Sequence, residues 1–195
     1  MKKYQNLVIV AGVLLLTAAV IPAALFADGV GGAYWGSQQT TYPWESQDDP
    51  VFSSSADRLD YVGGMGYGIA YDGQVAGGFG IGFTESGEEE PGLSGGFGGV
   101  ISGYRIFQNP LNILALIYAG IGGVSDENSE DPRLREGSFA VYGEATLEAS
   151  LPFIFFHPTL YAGYQVIASV GEGGVGDAFL SYSPTVGVRI LWGDQ

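Results

Sequence analysis

The chain has 195 residues, 46% hydrophobic and only 14% charged, and its 7 basic against 21 acidic residues give a net charge of −14. It has no cysteine and one histidine, which excludes disulfides, a cysteine-linked lipid anchor, thiol nucleophiles and a metal centre built on several histidines. So acidic a surface repels nucleic acid and phosphate-rich lipid alike, so no nucleic-acid partner is expected and an anionic partner would need a bridging divalent cation.

Lys2 and Lys3 precede an apolar run from Leu7 to about Ile21, and Ala23-Ala24-Leu25-Phe26-Ala27 supplies small residues. This order reads as a secretory signal peptide over residues 1–27, cut after Ala27. An uncleaved anchor is the rival reading, since the run is just long enough to span, but Pro22 and the small residues suit a signal better. Residues 28–195 then form a single domain of about 168 residues. Without Lys2 and Lys3 that domain has five Arg and no Lys against 21 acids, a net of −16.

The domain reads as eight β-rich stretches: 29–38, 59–71, 74–84, 93–107, 111–124, 138–150, about 153–170, and 177–192. The connectors alternate in length. Long polar ones cover 40–58, 85–92, 125–137 and 172–176. Short ones are the two-residue hairpin Asp72-Gly73, then Gln108-Asn109-Pro110, then Leu151-Pro152. Pro158 predicts a bulge or an early break in the seventh stretch. The chain has 33 Gly, 12 Tyr, 11 Phe and 3 Trp, and glycine with aromatics is a frequent mixture in barrel strands. A mean hydropathy of +0.19 is high for a soluble acidic protein, and no segment after the signal has enough consecutive apolar residues for a membrane helix.

Alternation sets the facing. In the sixth stretch Phe139, Val141, Ala145 and Leu147 oppose Ser138, Tyr142, Glu144, Thr146, Glu148 and Ser150. In the seventh, Leu160, Ala162, Tyr164, Val166 and Ala168 oppose Thr159, Tyr161, Gln165 and Ser169. In the third, Val75, Phe79, Ile81 and Phe83 oppose Gln74 and three glycines. Gly64, Gly66, Gly68, Gly78, Gly80 and Gly82 are read as facing a lumen, where they would leave free volume. The fifth stretch is apolar on both faces, and Leu114, Leu116 and Tyr118 would line the interior. Charge on a lipid face costs a few kcal/mol near the midplane, so Glu144, Glu148, Arg189 and Arg105 are assigned to the lumen. Two acids and arginine in so narrow a space should pair as an ion-pair plug, across the lumen or past the seventh strand. A soluble β-sandwich also alternates, but it leaves too many exposed aromatics and does not explain the connector rhythm.

Little else suggests chemistry. Gly63-Gly64-Met65-Gly66 lies inside a strand, where a phosphate loop has no context. Asp126-Glu127-Asn128-Ser129-Glu130-Asp131 carries oxygen ligands but lacks the glycine and terminal Glu of an EF-hand, so a solvated acidic loop with weak divalent binding is expected.

The last stretch is the most telling. Val186, Val188, Ile190 and Trp192 point one way; Thr185, Gly187, Arg189 and Leu191 point the other. Thr185, Gly187, Ile190 and Trp192 match the polar–Gly–apolar–aromatic spacing of a C-terminal assembly signal and resemble that of outer-membrane barrel proteins, although Gly193, Asp194 and Gln195 follow the aromatic residue. With its strand number and connector rhythm, the chain resembles the small eight-stranded outer-membrane barrels of the OmpA-transmembrane, OmpX and OmpW kinds. The resemblance implies an all-β, antiparallel, up-and-down transmembrane barrel in the bacterial outer membrane. It also implies contact with outer-membrane lipid and, during biogenesis, with the barrel-assembly machinery. The expected role is a structural or surface-interaction protein, with a largely plugged lumen and acidic outer loops that meet divalent cations or host-surface ligands. The alternative is a narrow pore for small, even apolar, solutes. His157-Pro158-Thr159 is similar in spacing to the His-x-Ser of outer-membrane lipid deacylases, but the hydroxyl is Thr and a proline intervenes. No enzymatic activity and no cofactor are expected.

Overall fold

The computed structural model describes residues 28–38, 59–85, 92–127, 132–151, 153, 156–171 and 174–193. The expected signal peptide, the connector 39–58 and most acids of the other long connectors lie outside these residues.

Eight antiparallel strands close into a barrel in simple chain order. They are β1 (Asp28–Gln38), β2 (Leu59–Ile69), β3 (Gln74–Glu85), β4 (Leu93–Phe107), β5 (Asn112–Asp126), β6 (Ser138–Ser150), β7 (His157–Gly171) and β8 (Gly174–Gly193). Closure is made by β1 on β8, with Val30 opposite Gly193 and Ser37 opposite Val186. Both strand termini Asp28 and Gly193 thus lie at the end that carries the short turns. The opposite end carries the long connectors, one of which includes a single helical turn, α1 (Pro132–Arg135). That turn follows Pro132, whose fixed φ suits a first helical position.

The expected two-residue hairpin at Asp72-Gly73 is instead a longer turn. Gly73 N–H bonds Ala70 O at 2.9 Å, Ala70 N–H bonds Gln74 O at 2.8 Å, and Gly73 has φ +90°. This is the turn-plus-bulge arrangement in which the last loop residue needs a left-handed backbone, so glycine stands there and β2 stops at Ile69. Pro158 acts as expected of an early break: β7 begins at His157, and residues 153 and 156 lie outside it. Leu151 N–H donates to Pro158 O at 3.1 Å, and proline has no N–H to return the bond.

Facing follows the expected parity in β5 to β8. Tyr142, Glu144, Thr146, Glu148, Ser150, Thr159, Tyr161, Gln165 and Arg189 are buried, while Ile117, Leu147, Leu160, Tyr164, Val186 and Trp192 are exposed. One residue differs: Ala168 is buried, beside an irregularity in the β7–β8 register between Ala168 and Val170. In β2 and β3 the glycine reading is reversed. Tyr61, Met65, Tyr67 and Ile69, and Val75, Phe79, Ile81 and Phe83, are buried inside the barrel, whereas Gly64, Gly66, Gly68, Gly78, Gly80 and Gly82 lie on the opposite, outer parity. Aromatic and aliphatic bulk takes the interior because there the rings pack on those of β4, β5 and β6, contacts that glycines could not make. Glycines do occur inside, but for a different reason. At inward Gly99, Gly103 and Gly122 an added Cβ would overlap a carbonyl oxygen of the next strand, whereas at outward Gly80 and Gly143 it would meet nothing within 4 Å. A barrel of eight strands curves tightly, and its concave side has the least room.

Candidate functional site

The lumen has two chemically distinct walls. From β2 to β6 a continuous run of rings fills the space: Tyr61–Phe83 at 5.7 Å between centroids, Phe83–Phe97 stacked at 5.8 Å, Phe97–Tyr142 at 5.3 Å, Tyr142–Phe79 at 5.4 Å, and Phe79–Tyr118 edge-on at 5.4 Å. Offset and edge-on pairs of this kind satisfy the ring quadrupoles. On β6, β7 and β8 most inward positions are polar instead, Ala140, Ile167 and Leu191 excepted, and Tyr118 and Tyr142 turn their hydroxyls toward them.

Arg189 and Glu148 form an ion pair through Nη1 and Oε1, each side chain 1% exposed. Tyr118 joins both: its hydroxyl donates to Glu148 Oε1 at 2.6 Å, and Arg189 Nη1 donates to the Tyr118 oxygen at 2.6 Å. Thr146 also donates to Glu148 Oε1, at 3.2 Å. The guanidinium carbon lies 3.9 Å from the Tyr161 ring centroid and 5.0 Å from that of Tyr118. Of the lumen candidates on strands six and eight, Arg189 and Glu148 are thus brought together as an ion pair, and they meet past β7. Thr159 faces Arg189 across the β7–β8 ladder, and Gly187, with no side chain, faces Tyr161.

Glu144 is inward as expected but takes a different partner set. Its Oε2 accepts from Tyr142 at 2.7 Å and its Oε1 from Thr185 at 2.6 Å. Reaching Thr185 on β8 requires crossing β7, and Gly163 permits it. A Cβ there would stand 2.5 Å from Ala145 O and 3.0 Å from the Thr185 hydroxyl. In the same row as Glu144, Gln165 Nε2 donates to the Tyr61 hydroxyl at 2.9 Å, a brace from β7 to β2 across the lumen.

Arg105 is not part of this cluster. It is half-buried at the turn end of β4, beside the register irregularity between Arg105 and Phe107. Its backbone N–H bonds Gly73 O at 2.8 Å. The bulge was not visible as a pattern, because Gly103-Tyr104-Arg105-Ile106-Phe107 alternates without a break.

Of the C-terminal set, Thr185 and Gly187 face the lumen, and both serve the cluster, Thr185 as donor and Gly187 by making room for Tyr161. Ile190 and Trp192 face outward, 38% and 52% exposed. His157 bonds Gly193 O through Nε2 at 2.8 Å, while the Thr159 hydroxyl donates to the His157 carbonyl at 3.1 Å rather than to the imidazole. That is a strand-end clasp, and it is not the nucleophile–base geometry of a hydrolase. The acids flanking the connectors also include structural ones: Glu85 accepts the Leu93 N–H at 3.2 Å, and Asp126 is buried at the end of β5. Among the described residues no three His, Asp or Glu side chains gather as a metal site.

Sequence reasoning missed Tyr118, Tyr161 and Gly163 as parts of the cluster. Tyr118 sits in an all-apolar strand; its register partner is Glu144, but its hydroxyl reaches along the lumen to Glu148 and Arg189. No protein-family model matches this chain, and no curated protein matches it in sequence.

Proposed function

We propose that this chain spans the bacterial outer membrane as a closed barrel, with a plugged lumen and its acidic long connectors presented at the cell surface. The observation that carries the reading is the outer face. Val62, Ile117, Leu147, Leu160 and Val186 are each more than half exposed. Aromatic residues stand toward both ends of this belt: Trp35 and Phe139 toward the connector end, Tyr104, Phe107 and Trp192 at the turn end, each about half exposed. An apolar band between two aromatic girdles is what a bilayer selects. A protein facing water would leave this belt as an aggregation hazard.

Within that reading the lumen is closed. The Arg189–Glu148 pair, the ring stack and the Tyr61–Gln165 brace fill a cross-section that eight strands leave only wide enough for side chains. The role is therefore structural or adhesive, exerted by connectors that lie outside the described residues, with divalent cations or host-surface ligands as partners and no catalytic step. Outer-membrane lipid and the assembly machinery that reads the β8 signal complete the partner set.

The test is refolding of residues 28–195 into lipid vesicles. A heat-dependent gel shift and protection of the strands from added protease are expected, together with no discrete conductance in a planar bilayer. A chain that stays soluble and monomeric without lipid or detergent would overturn the membrane reading. Steady single-channel openings would overturn the plug.

A further inference from the structure

We infer that the connector side of the lumen holds a small monovalent cation at the row Glu144–Gln165–Ser183. The site is distinct from the Arg189–Glu148 plug and does not depend on where the barrel resides. Three neighbouring strands place these residues side by side: Glu144 faces Gln165 in the β6–β7 ladder and Gln165 faces Ser183 in the β7–β8 ladder. All three are buried, Ser183 completely. The Glu144 carboxylate reaches β8, since it bonds Thr185, and Ser183 is the next inward residue of β8 toward the connectors.

Two observations point to a ligand. Glu144 is a carboxylate 7% exposed whose hydrogen bonds come from two neutral hydroxyls, Tyr142 and Thr185. The buried guanidinium of the lumen is joined to Glu148 instead. Arg105 is far along the barrel: its row is that of Leu114 and Glu148, four residues along β6 from Glu144, or about 13 Å at the usual rise per strand residue. Negative charge this deep is costly without a counter-charge. Second, the hydroxyls of Ser183 and, one inward position higher, Ser181 are 0% and 1% exposed and have no hydrogen-bond partner among the described residues. Buried hydroxyls without partners are rare and call for an unseen one. Gln165 spends its amide nitrogen on Tyr61, which leaves its amide oxygen as an acceptor. The row thus offers a carboxylate, an amide oxygen and serine hydroxyls, all hard oxygen donors, with one negative charge to balance.

That donor set selects charge +1. Divalent ions held by protein oxygens usually draw on more than one carboxylate, and here there is one. The facing wall adds to the preference, because the rings of Tyr61, Phe83, Phe97 and Tyr142 present π-systems that attract cations. An alkali ion and a primary ammonium group share this chemistry.

The test is thermal unfolding of the refolded full barrel in chloride salts of lithium, sodium, potassium, ammonium, methylammonium and tetramethylammonium at matched ionic strength. Tetramethylammonium screens the acidic connectors equally but cannot use the hydrogen-bonding or coordinating oxygens. At least one of the small cations should raise Tm selectively, by about 3–5 °C per tenfold increase beyond its Kd. A selective response to methylammonium would assign an organic amine, and one confined to an alkali ion would assign an inorganic ligand. The increment should vanish in Ser183→Ala and Glu144→Gln. Ser183→Ala removes only an unpartnered hydroxyl, so it should fold as the parent does in tetramethylammonium and decides the matter even where Glu144→Gln fails to fold. An equal rise in all six salts, no rise in any, or a selective rise that survives in Ser183→Ala would overturn the site.

Discussion

The guanidinium carbon of Arg189 stands 3.9 Å from the centre of the Tyr161 ring, and that ring occupies space left open by two glycines, Gly187 on the adjacent β8 and Gly36 on β1 beyond it. A Cβ at Gly36 would stand 2.5 Å from the Tyr161 hydroxyl, and one at Gly187 would overlap the ring. The buried charge thus leans on an aromatic face whose position two glycines permit. Tyr161→Phe keeps the ring and should unfold within about 1 kcal/mol of the parent, whereas Gly187→Ala should cost about 1–3 kcal/mol by crowding it. Urea unfolding in detergent would check both, and equal midpoints for Gly187→Ala and parent would remove the packing argument.

The ion pair makes a second prediction. Removing one buried partner strands the other, so Arg189→Met should cost about 3–5 kcal/mol, while Arg189→Met with Glu148→Leu should recover much of the loss. A double-mutant cycle reads this directly. Additive costs would mean that the two groups are each solvated by something else.

Glycine substitutions should split by facing. Gly80→Val, on the outer side with open space, should refold normally. Gly122→Ala, on the inner side against the Gly96 carbonyl, should lower the heat-shifted fraction sharply. Similar yields from both would show that the lumen relaxes more than its register suggests.

The outer belt can be probed with a charge. Ile117, near the middle of β5, is 62% exposed. Ile117→Arg should cost about 2–4 kcal/mol of folding in a bilayer, the range for a basic residue at the midplane. An unchanged midpoint in lipid would contradict burial of this face in hydrocarbon.

Strand order, strand number and most boundaries were legible because alternation and turn residues are local signals. β4 and β6 run over the very residues that alternation marks, 93–107 and 138–150. Glu144, Glu148 and Arg189 were legible because charge among alternating apolar residues has one low-energy side. What was not legible depends on neighbours in space. In β2 and β3 glycine alternates with bulk, and alternation alone does not say which set goes inside; the matching rings of β4 and β6 decide it. Which acid Arg189 takes, and that Thr185 reaches Glu144 over Gly163, follow from register between strands far apart in sequence. The turn at Gly73 and the irregularity at Arg105 likewise depend on backbone geometry that residue type leaves open.

The reversed glycines give the barrel a front and a back. Along the middle of β2 and β3 much of the outer surface is main chain, with Gly64, Gly66, Gly68, Gly78, Gly80 and Gly82 on that side beside the exposed Val62. Over β5 to β8 isoleucine, leucine, valine and aromatic side chains hold the surroundings off by their own length. A cylinder of eight nearly equivalent strands thereby becomes eccentric: its backbone is centred in one place and its envelope in another. Anything that packs beside the barrel meets a thin wall on one bearing and a thick one on the other, so a molecule with almost no directional feature in its backbone can still be told apart by azimuth.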